Sequence, residues 1–309
     1  MPVIAMTGAT GFVGRRAALR LAERLPDHRF RLLVRDLRRA PRGDDGRMEA
    51  IVGDLSEPRA LRELVEGADA VLHIAGAIAG NDASDFDEVN VTGTRRLVQA
   101  IASRAPDSHL LHVSSLAARE PGLSWYAASK RAGEEIVLSR LERRTVLRPP
   151  AVYGPHDPAL AGFWRWLARG WLLQAGPDRA RFSLVHVDDL VDAMQAVLET
   201  GPVDAPLEIA GPEPDGGWSW EEVAGTAARV RGAPVRRVRI PAFVLAAAAR
   251  AGLWTGRIFG LPRVLTPGKV RELLHVDWTC DTLALSSVTG WRPRIALEDA
   301  LADLPGWTR

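Results

Sequence analysis

The chain has 309 residues, of which 47% are hydrophobic and 25% charged, and its formal net charge is +2. These values are typical of a globular protein with enough residues for a full hydrophobic core or for two domains. The small net charge and the scattered arginines argue against a nucleic-acid partner. A single cysteine, Cys280, excludes an internal disulfide and a thiolate metal cluster, and we expect no bound metal.

The first residues, MPVIAMTG, include neither a basic start nor a long apolar run, so we expect no secretory signal and a cytoplasmic protein. The most apolar segment is Pro241–Trp254. It is too short to span a bilayer and contains Arg250. We therefore expect no membrane span and interpret this segment as a buried or pocket-lining helix.

Short apolar segments alternate with longer amphipathic ones in the first half of the chain. The predicted strands are Val3–Thr7, Arg29–Val34, Glu49–Val52, Ala70–Ile74, His109–Ser114 and Thr145–Leu147. The predicted helices are Phe12–Leu25, Glu57–Val65, Asp85–Ser103 and Ser124–Leu141. Strands that alternate with helices indicate βαβ units, so we expect an α/β fold with a doubly wound parallel sheet.

The chain changes in character after Pro149, where prolines and glycines become frequent and nine of the ten tryptophans follow. The segment Val187-Asp188-Asp189 is typical of a strand end before a helix, capped by Asp188 or Asp189. Further predicted elements are a strand at Leu207–Ala210 and helices at Trp218–Arg231 and Leu297–Leu304. We expect a dinucleotide-binding domain of residues 1–155, to which about 182–210 return, and a smaller α/β substrate-binding part of 156–181 and 211–309.

A glycine-rich turn follows the first predicted strand. Residues 7–14 read TGATGFVG, with Gly8, Gly11 and Gly14 three residues apart and directly before the first predicted helix. Residues without a Cβ allow backbone N–H groups and a helix N-terminus to approach a pyrophosphate, so the turn predicts a dinucleotide site. The cofactor contacts predicted in this turn are Gly8, Thr10, Gly11, Phe12, Val13 and Gly14.

The end of the second predicted strand bears on the choice between NAD and NADP. An acidic residue there would accept from the ribose 2′-hydroxyl, whereas an arginine pairs with a 2′-phosphate. Arg35 follows the strand residues RLLV, and Asp36, Arg38 and Arg39 come next. We expect NADP in preference to NAD, with NAD left open because arginine is frequent throughout the chain.

Two scarce residue types come together at residues 125–130, which read WYAASK. The chain has only two tyrosines, Tyr126 and Tyr153, and only two lysines, Lys130 and Lys269. Tyr126 and Lys130 are four residues apart, which places them on one face of the predicted helix.

With both motifs placed, the chain resembles the short-chain dehydrogenase/reductase superfamily and is most similar to its extended, NAD-dependent epimerase/dehydratase branch. Further motifs in the family's order are GDL at 53–55, DAVLHIAG at 69–76, VNVTGTRRLVQA at 89–100, HVSSLAA at 112–118, RPPAVYGP at 148–155 and FSLVHVDDLVDA at 182–193. The resemblance covers about residues 3–200 and implies a Rossmann domain followed by a smaller substrate domain.

The resemblance implies a hydride transfer between a nicotinamide and a secondary alcohol or ketone. Tyr126 would exchange the proton, and Ser115 would hold the substrate oxygen, with Ser114 as the alternative. An ammonium near a tyrosine lowers its pKa from about 10, so Lys130 would tune Tyr126 while reaching the nicotinamide ribose. The cofactor contacts implied beyond the glycine turn are Asp54, Leu55, Ala75, Gly76, Asn90, Tyr126, Lys130, Pro149 and Val152.

The chain departs from the family pattern near the catalytic residues. Only eleven positions separate Ser115 from Tyr126, so the mouth of the pocket should be open. Leu116 and Ala117 stand where dehydratases of the family carry Asp-Glu, which disfavours a dehydratase. The family pattern also makes Val152–Gly154 a loop near the nicotinamide and gives Tyr153 a structural role.

The substrate remains open at this point. Most aromatic residues of the second half are interpreted as core, and any that line the pocket would favour an apolar substrate over a nucleotide sugar. The large apolar residues considered are Phe163, Trp164, Trp166, Trp171, Trp254, Ile258 and Phe259.

Two other functions also remain open. One is a nucleotide-sugar epimerase that oxidises and re-reduces the same carbon, and the other is a cofactor-binding regulator or scaffold subunit without catalysis. The resemblance further implies a homodimer that pairs through the helices predicted at Asp85–Ser103 and Ser124–Leu141.

Overall fold

A computed structural model describes residues 1–43, 46–259 and 261–307 of the chain. Its strands are β1 Val3–Thr7, β2 Arg29–Val34, β3 Met48–Val52, β4 Ala70–His73, β5 His109–Val113, β6 Arg144–Arg148, β7 Ala151–Tyr153, β8 Trp171–Gln174, β9 Arg181–Phe182, β10 Leu184–His186, β11 Pro206–Glu208, β12 Arg236–Arg239 and β13 Asp277–Trp278.

The helices are α1 Phe12–Arg24, α2 Pro58–Val65, α3 Ala83–Asp87, α4 Thr94–Arg104, α5 Trp125–Arg140, α6 Ala161–Ala168, α7 Val187–Thr200, α8 Trp220–Arg231, α9 Ala242–Phe259, α10 Pro267–Leu274, α11 Leu283–Thr289 and α12 Leu297–Ala300. Short 3-10 turns lie at Leu37–Arg39, Leu116–Arg119 and Leu301–Asp303, and a π-helical turn at Glu88–Gly93 joins α3 to α4.

A parallel sheet of seven strands forms the centre of the molecule, in the order β3-β2-β1-β4-β5-β6-β11. From β1 the chain adds strands β2 and β3 on one side of the sheet and then returns to add β4, β5 and β6 on the other side. This is the arrangement of two βαβ halves in a Rossmann fold. This confirms the predicted fold class and brings the carboxyl ends of all seven strands to one edge.

Helices cover both faces of this sheet. Successive side chains of a strand point to opposite faces, so Met6 of β1 packs in the core beneath α1 and α7, whereas Ala5 packs in the core beneath α2, α4 and α5. Every residue of β5 is buried. Burial on both faces is the reason that the central strands read as short apolar runs in the sequence.

The C-terminal part of the chain builds its own smaller core, to which the paired strands β7 and β10 contribute Tyr153 and Leu184. Trp164, Leu167, Leu172, Trp218 and Leu301 are buried there together. Strand β11 joins the sheet beside β6, slightly earlier in the chain than the predicted Leu207–Ala210. The division into a dinucleotide-binding and a substrate-binding part stays a prediction.

The predicted cap of helix α7 is wrong. His186 is the N-cap residue, and its Nδ1 accepts from the backbone N–H of Asp188 at 3.2 Å. Asp188 instead pairs with Arg16 of α1, where Nη2 and Oδ2 are 2.7 Å apart. Asp189 accepts from the backbone N–H of Ile295 at 2.9 Å. Both carboxylates lie in the first turn of α7. They bind α7 to α1 and to the backbone at Ile295 and do not cap its N-terminus.

The predicted character of the segment at Pro241–Trp254 is only half right. It forms α9, which is longer than predicted, and Leu245, Ala249 and Leu253 are buried on one of its faces. The opposite face is not covered, since Phe243 is 75% and Trp254 68% exposed. Val152 and Tyr153 of the predicted loop Val152–Gly154 belong instead to the short strand β7, which pairs with β10.

Within the described ranges, no helix has both the length and the apolar character needed to cross a bilayer. The same residues include no group of three or more His, Cys, Asp or Glu side chains arranged to hold a metal ion.

Candidate active site

The predicted site residues meet at the carboxyl edge of the sheet. The glycine turn follows β1, Arg35 follows β2, Asp54 follows β3, and Gly76 and Ser115 follow β4 and β5. Neighbouring parallel strands bring these positions together although they are far apart in the chain. The edge between β1 and β4, where the strand order reverses, is where a Rossmann fold binds its ligand.

The turn between β1 and α1 requires glycine at two positions. Gly8 has φ +77°, and a Cβ there would lie 2.5 Å from the backbone N of Ala75. A Cβ on Gly14 would lie 2.1 Å from the carbonyl O of Gly8. Gly11 is the N-cap of α1 and no side chain caps that end, so the first N–H groups of the helix stay free for a ligand. The turn therefore fits the pyrophosphate of a dinucleotide.

A π-helical turn places Asn90 beneath the site. Its Oδ1 accepts from the backbone N–H of Ala77 at 2.8 Å, and its Nδ2 donates to Ser129 Oγ at 2.9 Å. The carbonyl O of Asn90 points at α5, where a Cβ on Gly133 would lie only 2.7 Å away. The sequence predicted one regular helix here. The wider turn could not be read from periodicity, because it depends on the close approach of α5.

Tyr126 and Lys130 lie four residues apart on α5, and Ser115 lies after β5, directly before the 3-10 turn Leu116–Arg119. The Ser115 hydroxyl lies near enough to Tyr126 for hydrogen bonding to lower the pKa of the phenol. Ser115 Oγ also accepts from the backbone N–H of Ala117 at 3.2 Å, which fixes its orientation. Ser114, the alternative serine, is buried, and its hydroxyl has no partner among the described residues. The geometry favours Ser115 as the partner of Tyr126.

Lys130 is buried, and its Nζ donates to the carbonyl O of Val113 at 2.8 Å. Burial lowers its pKa to about 8, although Glu134 acts in the opposite direction. An ammonium has three N–H groups, so two remain for other partners. A Cβ on Gly76 would lie 3.7 Å from this Nζ and 3.2 Å from Asn90 Oδ1. Because Gly76 has no side chain, there is room for a ribose beside Lys130.

The pKa of Tyr126 moves opposite to the direction predicted from Lys130. Burial raises it to about 12, the hydrogen bond from Ser115 lowers it, and the negative charge of Glu272 raises it further. Lys130, whose Nζ donates to the Val113 carbonyl, does not bring this pKa back to the ordinary tyrosine value of about 10. At neutral pH Tyr126 is therefore a neutral phenol, which is the form that donates a proton.

The sequence did not point to Lys269 and Glu272, which adjoin Tyr126. Lys269 Nζ lies 5.8 Å from the centre of the Tyr126 ring and 2.7 Å from Glu272 Oε2. The other oxygen of Glu272 accepts from the hydroxyl of Ser124, the N-cap residue of α5. The scarcity of lysine was the one signal that could have found this pair.

A buried network around His73 was also missed. Thr94 Oγ1 donates to the carbonyl O of Asn90 at 2.7 Å, so it accepts from His73 Nε2 at 2.9 Å. His73 Nδ1 then accepts from Thr7 Oγ1 at 2.7 Å. This tautomer follows from the bonding partners, and burial lowers the His73 pKa to about 3. A neutral imidazole thus ties the ends of β1 and β4 to the π-helical turn.

The residues predicted to select the cofactor directly follow β2, the strand that pairs with β1. Asp36 is occupied by Arg38, whose Nη2 lies 3.0 Å from Asp36 Oδ2. Two hydrogen bonds from Ser56 are the main cause that lowers the pKa of Asp54, and the charge of Arg35 lowers it further. Arg35 itself is exposed. The acid next to Arg35 is therefore already paired, whereas the Arg35 guanidinium faces solvent at this edge.

The remaining predicted contacts border the site from β3 and β6. Leu55 is buried, and a Cβ on Gly93 would lie 2.8 Å from it. The carbonyl O of Pro149 accepts from the backbone N–H of Leu116 at 2.8 Å, and Val152 packs partly buried on the core. Tyr153 is buried in the C-terminal core, away from solvent.

A Rossmann sheet with a glycine turn, an anchored lysine and a neighbouring serine and tyrosine at one edge defines a dinucleotide-binding enzyme of the α/β class. The chain belongs to the NAD dependent epimerase/dehydratase family, whose model matches residues 4–210. Named members of this family include reductases, dehydrogenases and epimerases, and the chain is an NAD-dependent oxidoreductase or epimerase.

Similar proteins differ in what their names state. The chain is 38% identical to the ceramide reductase of Caulobacter vibrioides, over 99% of this chain and 94% of that protein. It is 27% identical to the NADH-ubiquinone oxidoreductase 40 kDa subunit of Neurospora crassa, over 67% of this chain and 55% of that one. DesIV, a dTDP-glucose 4,6-dehydratase of Streptomyces venezuelae solved with NAD bound, shares the fold at a TM-score of 0.75 and 23% identity, over 99% and 96% of the two chains.

Proposed function

We propose that this enzyme catalyses reversible hydride transfer between NADP(H) and a secondary alcohol or ketone, with Tyr126 as the acid–base group. The observation that supports the proposal is that Ser115, directly after β5, lies near enough to Tyr126 to lower the pKa of the phenol, while the buried Lys130 lies four residues after Tyr126 on α5. Two neighbouring hydroxyls can both reach one substrate oxygen, which is what polarising and protonating a carbonyl requires.

Each residue has one task in the reductive direction. Ser115 donates to the carbonyl oxygen and holds it beside Tyr126. The Tyr126 hydroxyl then gives its proton to that oxygen, and the charge of Lys130 favours the phenolate that remains. The nicotinamide, when bound, supplies the hydride. In the oxidative direction the phenolate takes the alcohol proton back.

The residues proposed to hold the dinucleotide are those that border the carboxyl edge. The turn from Gly8 to Gly14 would bind the pyrophosphate, and Asp54 with Leu55 would border the adenine. Ala75, Gly76, Asn90 and Lys130 would border the nicotinamide ribose, with Pro149 and Val152 beside the ring. Exposed Arg35 next to an Asp36 already paired with Arg38 supports NADP over NAD.

We propose a lipid ketone of the ceramide class as substrate. The similarity to a ceramide reductase extends over nearly the whole of both chains, including the C-terminal part that would contact the substrate. Leu116 and Ala117, which follow Ser115, are buried apolar residues, and they leave no carboxylate there to expel water as a dehydratase would need. Apolar residues next to Ser115 suit a long-chain lipid better than a nucleotide sugar.

The test is a substrate panel with the purified enzyme. We expect NADPH oxidation with the keto form of a ceramide in detergent micelles, and the corresponding alcohol as product by mass spectrometry. Turnover of a UDP-sugar with tightly retained NAD and no net change in cofactor would instead establish the epimerase. Bound cofactor without turnover of either substrate class would contradict both.

We also propose that the enzyme is a cytoplasmic homodimer that pairs through α4 and α5. These two helices pack side by side on one face of the sheet, and their outer faces carry polar residues such as Arg131 and Glu135, which form an ion pair. Light scattering at micromolar concentration should give twice the mass of the 33.6 kDa chain, and a monomer would exclude this interface.

A further inference from the structure

We propose that helix α9 docks the enzyme onto the surface of an anionic lipid bilayer, next to the mouth of the candidate site. The inference is independent of the proposed reaction, because it is argued from the exposure and charge of one segment. It concerns a peripheral contact, since α9 is not long and apolar enough to cross a bilayer.

The exposed face of α9 is apolar. Phe243 is 75%, Trp254 68% and Ile258 55% exposed. On a helix, positions 243, 247, 251, 254 and 258 fall on one face. Positions 247 and 251, which lie between the large residues, are the exposed alanines Ala247 and Ala251. A continuous exposed apolar stripe of this kind on a protein surface marks an interaction site.

The same part of the chain is strongly basic. From Val223 to Arg271 the sequence contains ten arginine and lysine residues and no aspartate or glutamate. Arg229, Arg239 and Lys269 pair with carboxylates outside this segment, and the other seven have no ion-pair partner among the described residues. Arg250 and Arg257 are exposed and seven residues apart, which places both along one flank of the apolar stripe.

An apolar stripe flanked by arginines fits an anionic bilayer better than a second copy of the chain. At the interface of a bilayer, aromatic and aliphatic side chains enter the acyl boundary while the arginines meet lipid phosphates. Two copies packed through this face would bring the same basic segments together, and like charges across an interface oppose association.

The position of α9 connects this surface to the site. Residues beyond the helix return to the cleft, where the carbonyl O of Leu261 accepts from Asn81 Nδ2 at 3.2 Å and that of Arg263 accepts from the N–H of Gly80 at 3.0 Å. Lys269 of α10, which packs on α9, lies beside the Tyr126 ring. These contacts link the end of α9 and the following helix α10 to the loop after β4 and to Tyr126.

The experiment is flotation of the 309-residue chain with vesicles, without substrate. We expect binding to phosphatidylcholine vesicles that contain phosphatidylglycerol, and weaker binding as salt rises, because the arginine contacts are screened. The double variant Trp254→Ser/Ile258→Ser should bind about tenfold more weakly, since it removes apolar area that enters the bilayer. Arg250→Gln should weaken binding to anionic vesicles and leave the fold, followed by circular dichroism, unchanged.

Matched controls come from elsewhere on the surface. Leu283 is as exposed as Phe243, at 75%, and Arg59 is exposed on α2, so Leu283→Ser and Arg59→Gln should bind vesicles like the parent. Equal flotation with neutral and anionic vesicles, or none with either, overturns the proposal. If the Trp254/Ile258 variant turns a dimer into a monomer, the stripe is covered by a second copy instead.

Discussion

Lys269 Nζ lies 5.8 Å from the centre of the Tyr126 ring, and Lys130, the other lysine of the chain, lies four residues after Tyr126 on α5. Lys269 approaches from α10. Glu272 holds Lys269 and also accepts from Ser124 at the start of α5. This second pair therefore contributes to both the position and the charge environment of Tyr126.

The charge of Glu272 should be measurable at Tyr126. Because that charge raises the Tyr126 pKa, Glu272→Gln should lower it while the amide oxygen still accepts from Ser124. The pH profile of alcohol oxidation, which needs the phenolate, should shift to lower pH. Glu298→Gln, at an exposed ion pair with Arg229, serves as the control and should leave the profile in place. An unshifted profile in Glu272→Gln would limit Glu272 to a structural role.

The two tyrosines offer a matched pair of variants. Tyr126→Phe removes the proposed proton donor, so kcat should fall by about 100-fold or more while NADP(H) affinity stays close to that of the parent. Tyr153→Phe changes a tyrosine buried in the C-terminal core and should keep most of the activity. Steady-state rates and cofactor titration by fluorescence measure both effects. Undiminished turnover in Tyr126→Phe would rule out Tyr126 as the acid–base group.

The pH dependence of reduction should reflect Lys130. Its pKa is lowered to about 8, so it is charged below that pH and neutral above it. The charge favours the phenolate left after Tyr126 donates, and kcat/KM for ketone reduction should therefore decrease as pH rises through about 8. Lys130→Arg keeps its charge throughout this range. The kcat/KM of Lys130→Arg should be lower than that of the parent but should not change near pH 8. A decrease near pH 8 that persists in this variant would show that another group titrates there.

Cofactor choice should depend on Arg35. Arg35→Asp removes the guanidinium proposed to pair with the 2′-phosphate and adds an acceptor for a ribose hydroxyl. The ratio of kcat/KM for NADPH to that for NADH should fall roughly 10- to 100-fold, the worth of one or two charge-assisted bonds. Arg59→Asp, an exposed change on α2, is the control. An unchanged ratio would make Arg35 an ordinary surface residue.

The π-helical turn should depend on Gly133. A Cβ there would lie 2.7 Å from the carbonyl O of Asn90, so Gly133→Ala must push α5 away from the turn. The free energy of unfolding should fall by about 1–3 kcal/mol, the usual cost of overpacking. Gly122→Ala has nothing within 4 Å of the added Cβ and should be nearly neutral. Denaturant unfolding of the two variants gives the comparison directly.

The order of strands and helices in the first half was predictable, because each element there is a continuous run whose side-chain period matches its structure. Predicted strands Val3–Thr7 and Arg29–Val34 agree with β1 and β2 at every residue. The glycine turn was predictable for a similar reason, since a missing Cβ is a local property. Errors fall at α7 and α9, where the partners are distant in sequence.

The sequence by itself determined the Rossmann fold and the residues that line its carboxyl edge, because parallel strands bring their ends to one side whatever their spacing in the chain. Only the tertiary structure decided the environment of those residues. The raised pKa of Tyr126, the arrival of Lys269 and Glu272 beside it, and the bare apolar face of α9 depend on which surfaces meet and which remain in water. Burial and long-range packing set these properties, and neither leaves a local pattern in the sequence.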